Sequence, residues 1–105
     1  MYYPASALLI EAMVLSTVEK HDSYGYEISQ VVKRVANIKE STMYPILSKL
    51  EKGNFLSAYS AEYQGRNRKY YSLTEEGKNQ LAFLREEWEA YRDAIDEIVE
   101  GSVEQ

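Results

Sequence analysis

The sequence predicts a mainly α-helical fold carrying one small β-hairpin, an α+β class, and three observations predict it. Apolar residues recur at helical spacing through three short segments before Gly53. Between Phe55 and Leu73 the period changes, and tyrosine, phenylalanine and leucine flank a stretch of glycine, asparagine and arginine. From Thr74 to about Val99 apolar residues return in alternating steps of three and four.

Pro4 opens the first helix, since it lacks an N–H that would be orphaned there. Ala5 to Val18 reads as a helix apolar around most of its circumference. Leu8, Leu9, Ala12, Met13 and Leu15 share one broad face, as in a helix packed between others. His21-Asp22-Ser23 breaks it, and Asp22 or Ser23 is the expected cap of the next helix. There Ile28, Val31, Val32 and Val35 have amphipathic spacing, and the helix ends near Ala36-Asn37 with Ile38 tucked beneath the connection. Ser41 or a residue just before it caps a third helix, in which Met43, Ile46, Leu47 and Leu50 repeat the pattern. Pro45 falls early enough to cost few helix hydrogen bonds, and Gly53-Asn54 ends the element. Two short helices joined this way are a helix-turn-helix candidate.

Phe55 to Tyr63 and Lys69 to Leu73 read as two strands around a loop, Gln64 to Arg68. Thr74 followed by Glu75-Glu76 is a helix start, with a hydroxyl cap and an acidic first turn. The helix that follows is roughly 39 Å long, and Gly77 in its first turn costs about 1 kcal/mol relative to alanine. A helix-turn-helix followed by a basic-tipped hairpin is a winged helix-turn-helix. The expected division is residues 1–74 for the winged helix-turn-helix, 75–100 for a C-terminal dimerisation helix, and 101–105 for a frayed tail.

At 105 residues the chain makes one small domain that buries only roughly 60–65% of its unfolded surface, so a partner subunit would help it. Its 45% hydrophobic and 28% charged content is that of an ordinary globular protein. The absence of cysteine excludes disulfides, thiolate metal sites and cysteine nucleophiles. One histidine, His21, leaves no His-pair metal site and reads as a surface loop residue. Apolar runs such as Ala12 to Leu15 are far too short to span a bilayer, and no secretory signal is legible. The expectation is a cytoplasmic protein with no membrane contact, no cofactor, no metal and no catalytic residue.

A net charge of −5 argues at first against a nucleic-acid partner. Its distribution reverses that reading. From Leu81 onward two basic residues face eight acidic ones, a net −6, so the rest of the chain is net +1. Between Gln64 and Ser72, Arg66, Arg68 and Lys69 meet no acid at all. With a screening length of about 8 Å at physiological salt, a phosphate at that cluster feels the cluster rather than the distant acidic helix.

Three strings now carry a likeness: YGYEI at Tyr24–Ile28, STMYPILSKLEKGNFL at Ser41–Leu56, and GRNRKYYSLTEEG at Gly65–Gly77. The chain resembles the PadR family of bacterial transcriptional regulators over about residues 5–100. The most specific pieces are the Tyr-Pro of the third helix and the Gly-Arg-x-Arg-Lys-Tyr-Tyr-x-Leu-Thr of the hairpin. The resemblance implies a homodimeric repressor whose third helix enters the major groove of double-stranded DNA and whose wing touches the flanking backbone. It also implies the short type, with a single C-terminal helix. One departure is Lys39-Glu40 ahead of Ser41-Thr42, where the family more often places a small cap residue.

The candidate DNA contacts are Ser41, Thr42, Tyr44, Ser48 and Lys49 on the third helix, Lys39 ahead of it, and Arg66, Asn67, Arg68 and Lys69 in the wing. Charge runs are ordinarily solvated surface; here the helix-turn-helix upstream tips the reading to DNA. Tyr70 and Tyr71 are read as structural, since alternate strand residues face opposite sides. In the last helix Leu81, Leu84, Trp88, Tyr91, Ile95 and Ile98 form a seam for a second copy, with Glu86, Glu89, Asp93, Asp96 and Glu100 off it. Trp88 is a dimer anchor and also a candidate plate for a planar aromatic effector, because EEWEAY resembles the tryptophan segment of drug-sensing members of the family. Glu86, Glu87 and Glu89 around it favour a cationic ligand. The rival reading is a winged-helix protein-interaction module without DNA binding.

Overall fold

The structure, a computed structural model, describes residues 3–101. The elements are α1 (Ala7–Lys20), β1 (Ser23–Tyr24), α2 (Gly25–Val32), α3 (Glu40–Lys52), β2 (Leu56–Tyr63), β3 (Arg66–Leu73) and α4 (Glu75–Val99). The three strands form one antiparallel sheet in the order β1-β3-β2. Four helices and a small sheet give the expected α+β winged helix-turn-helix, with the long C-terminal helix in place. Of the tail expected to fray, residues 102–105 lie outside the described residues.

Local chemistry sets the boundaries. Pro4 precedes α1 rather than opening it; Ser6 is the N-cap, its hydroxyl accepting from the Leu9 N–H at 3.4 Å. α2 is capped by neither Asp22 nor Ser23. Its N-cap is Tyr24, whose side chain makes no cap bond, because Ser23 and Tyr24 are drawn into β1 opposite Tyr71 and Tyr70. Ser23 is buried there and donates to the His21 carbonyl. α2 also stops earlier than expected, at Val32, and the next residues tighten into turns such as Val35 N–H to Val32 O. Val35 is left exposed, while Ile38 is buried as expected.

α3 starts after Lys39, which offers no side-chain acceptor, so the unusual residues ahead of Ser41 leave this helix start without a side-chain cap. At its other end Gly53 keeps a negative φ and Asn54 takes the left-handed conformation at φ 65°. Phe55 N–H then bonds to Leu50 O and Asn54 N–H to Glu51 O, the pair of bonds that seals a helix terminus.

The hairpin loop is shorter than its sequence suggests. Gln64 and Gly65 alone make the turn, at φ 51° and 78°, the pair of positive angles a tight two-residue hairpin requires. Arg66, Asn67 and Arg68, expected in the loop, extend β3 and pair with Tyr63, Glu62 and Ala61. Cross-strand pairing has overridden their weak strand preference.

One core joins these elements: Val14, Leu15 and Val18 of α1, Ile28 and Val32 of α2, Met43, Leu47 and Leu50 of α3, Leu56 and Tyr71 of the sheet, and Leu81 and Leu84 of α4. Beyond Leu84 no residue of α4 is buried, and the molecule extends 60 Å along its longest axis. The second half of α4 is an arm that the described part of the protomer covers only in part.

Candidate nucleic-acid interface

At 100° per residue, the outward face of α3 has Ser41, Pro45, Ser48 and Lys52 along its middle, Tyr44 on one flank, and Thr42 and Lys49 on the other. Met43, Leu47 and Leu50 hold the opposite face in the core, so packing fixes which way the polar set points. Tyr44 leans over the start of α2, where Gly25 admits its ring: a Cβ on Gly25 would stand 3.0 Å from Tyr44 Cε1. Its hydroxyl donates to Glu40 at 3.0 Å, and that carboxylate holds the phenol above its ordinary pKa.

Alternation along β3 puts Arg66 and Arg68 on one face of the strand and Asn67 and Lys69 on the other. Arg68 is half-buried; the other three are exposed. Lys69 Nζ lies 3.0 Å from Glu51 on α3 and 5.4 Å from the Tyr71 ring centre, and the Glu51 carboxylate raises its pKa. Lys49 Nζ is 3.6 Å from Glu11 on α1. Two of the expected DNA-contacting lysines therefore already have acidic partners on their own chain.

The wing and α3 meet across an open groove of about 650 Å³. Tyr44 and Ser48 of α3, Arg66, Arg68 and Lys69 of β3, and Tyr24 and Tyr26 from the α2 entry line it. Among the described residues no carboxylate forms its wall; Glu40 and Glu51 enter only as partners of Tyr44 and Lys69. Five of the ten expected contacts are thus brought to one concavity. Thr42 instead lines a shallow recess with Pro4 and Ile38, and Lys39, Ser41, Lys49 and Asn67 are exposed outside the groove.

The seam of α4 divides in two. Leu81 and Leu84 are buried inside the protomer, whereas Trp88, Tyr91, Ile95 and Ile98 are between 39% and 69% exposed. The Trp88 and Tyr91 rings meet edge to face at 6.1 Å. With Leu9, Ala12 and Met13 of α1, Trp88, Tyr91 and Ile95 line a second, largely apolar groove of about 850 Å³. No described helix is long and apolar enough to cross a membrane.

The profile of the transcriptional regulator PadR-like family matches residues 14–83, two thirds of the chain, from mid-α1 through the wing into α4. The chain belongs to the PadR-like family. The crystal structure of a Streptococcus mutans UA159 protein is similar at 59% identity and a TM-score of 0.94, covering 100% of this chain and 99% of that one. A PadR family transcription regulator from Clostridium difficile is 35% identical with a TM-score of 0.78, covering 86% and 97%. An uncharacterized protein of Lysinibacillus sphaericus is 37% identical over 97 residues, 88% of this chain and 89% of that one.

Within this PadR-like fold, sequence reasoning missed Glu11, Glu51, Tyr24 and Tyr26. The tyrosines are visible in the YGYEI string, but nothing in that string says which side of the fold they face. Glu11 and Glu51 carried no local signal, because their partners sit on other elements.

Proposed function

We propose that this PadR-family regulator is a sequence-specific DNA-binding repressor that acts in the cytoplasm as a homodimer. One observation carries the reading: the groove in which Tyr44 and Ser48 of α3 face Arg66, Arg68 and Lys69 of the wing, with no carboxylate among the described residues of its wall. Hydroxyls on a helix suit base edges and phosphates, and clustered cations suit the backbone beside them. The bare apolar arm of α4 supports pairing with a second copy, and residues 1–74 and 75–100 divide the two tasks, although Leu81 and Leu84 share the winged helix-turn-helix core. A planar aromatic effector that stacks on Trp88 at the subunit boundary would release the repressor.

The test is duplex binding as a function of salt. Phosphate-contacting cations release counterions, so affinity falls linearly with salt on logarithmic axes. Arg66→Ala combined with Arg68→Ala is expected to weaken binding to all duplexes alike and flatten that slope by roughly one to two. Wild-type affinity in the double variant removes the wing from the interface. No duplex affinity even at low salt supports the protein-interaction module instead.

A further inference from the structure

The guanidinium of Arg68 lies between two tyrosine rings, 4.4 Å from the ring centre of Tyr24 and 4.9 Å from that of Tyr63. Both distances are within cation–π range. The register of the sheet explains the arrangement. Arg68 pairs with Ala61, whose methyl group leaves room for a long side chain to lie down. Tyr63 stands one same-face position nearer the turn, and Tyr24 on β1 lies opposite Tyr70, one same-face position the other way. Diagonal neighbours of this kind are within reach of long and aromatic side chains.

The ring nearer the helices is itself braced. Tyr24 meets Tyr70 edge to face at 5.6 Å, and Tyr70 stacks on Tyr59 at 5.8 Å. The Tyr59 hydroxyl donates to Asp22 at 2.6 Å. The result differs in kind from the fixing of Lys69, which is held by the Glu51 carboxylate. Tyrosine rings restrain Arg68 without neutralising it, so its charge stays available to an anion in the groove it lines. An unrestrained arginine surrenders rotamer freedom when it binds; here folding has already removed much of it.

We propose that Tyr24 and Tyr63 are positioning residues that clamp Arg68 in its phosphate-contacting orientation, making it the pre-set cation of the wing. The inference rests on the DNA-binding reading and adds to it the residues that prepare the contact.

Tyr63 is the side chain to change, because it is 50% exposed at the end of β2 and its ring can be removed without opening the core. The probe is a fluorescently labelled mixed-sequence duplex, followed by anisotropy over a range of salt, with thermal melting to verify the fold of each variant. Tyr63→Leu is expected to lower affinity roughly two- to five-fold. The salt slope should stay unchanged, since no charge is lost. Tyr63→Phe keeps the ring and should bind as wild type, and Tyr63→Leu should cost nothing further on an Arg68→Ala background. Wild-type affinity in Tyr63→Leu overturns the clamp. So does a Tyr63→Phe variant as weak as Tyr63→Leu, or an equal loss with and without Arg68. If Arg68→Ala leaves binding intact, the wing's role in DNA binding falls and the clamp falls with it.

Discussion

The backbone of Gly77 is pressed against the carbonyl of Phe55 so closely that a Cβ at position 77 would overlap that oxygen. The same Cβ would stand 2.6 Å from Leu73 Cδ1. Glycine is therefore required at the point where α4 leaves the sheet. Thr74 ties the same corner, its hydroxyl donating to Asn54 O at 2.6 Å and accepting from Gly77 N–H at 2.9 Å.

Gly77→Ala is accordingly expected to destabilise the protein by about 2–4 kcal/mol, although alanine is the better helix former by about 1 kcal/mol. Thr74→Val, which loses the cap but keeps the shape, should cost less, about 1–2 kcal/mol. Urea unfolding of both variants measures the order. A Gly77→Ala variant as stable as wild type would mean that the corner relaxes freely.

Much of this architecture is legible in the sequence, and the unread parts have physical reasons. Thr74-Glu75-Glu76 marks the start of α4 because a cap is a local device, read from adjacent residues. β1 is two residues long and has no periodicity to read; it exists because Tyr70 and Tyr71 offer an edge to pair with. Arginine, asparagine and lysine have little strand preference, so the turn looks longer than it is. At the candidate interface the cations could be found by composition, but their partners could not. Lys49–Glu11 and Lys69–Glu51 join elements remote in sequence. The seam of α4 reads as one pattern of six, although its first two residues belong to the protomer core.

Those lysine pairs give a prediction opposite in sign to most interface substitutions. In the proposed DNA complex a phosphate would have to displace Glu51 from Lys69, and the freed carboxylate would then face the DNA. Glu51→Gln should therefore tighten duplex binding about two- to five-fold, the range of an exposed ion pair, and steepen the salt slope. Anisotropy titrations across a salt series measure both. Weaker binding in the variant would show that Glu51 orients Lys69 rather than competing for it.

Arg85 of α4 pairs with Glu19 of α1 at 2.9 Å and also bonds to Ser16. The guanidinium holds the Glu19 carboxyl below its ordinary pKa against a smaller opposing effect of burial. A folded-state value below the unfolded one stabilises the fold above the ordinary carboxylate range, and this is lost as pH falls through the lowered value. Both side chains are more than a third exposed, so the contribution stays within about 1 kcal/mol at neutral pH. The stability difference between wild type and Glu19→Gln should hold steady from pH 7 to about 5 and close below the ordinary glutamate range near 4.3. Unfolding curves at pH 7 and pH 3 test this, and a difference that grows on acidification would contradict it.

The arm of α4 supplies the final prediction. Trp88, Tyr91, Ile95 and Ile98 are too exposed in one protomer to be satisfied there, while Leu81 and Leu84 belong to its core. Removing the helix after Gly77 would therefore unfold the protein rather than leave a monomer, so point substitutions are the proper probe. Ile95→Glu with Ile98→Glu should yield a folded monomer by sedimentation, with core and wing intact. Its duplex affinity should fall steeply, because a two-fold dimer holds its recognition helices about 34 Å apart to meet successive major grooves. In the intact dimer a planar cationic dye should quench the single-tryptophan fluorescence at micromolar concentration, drawn by stacking and by Glu86, Glu87 and Glu89. If the dye moves the recognition helices off that spacing and so weakens DNA binding, DNA must weaken dye binding by the same factor. Quenching that persists in the Ile95→Glu/Ile98→Glu monomer, or that DNA does not affect, would leave Trp88 as a packing residue and remove the effector from the mechanism.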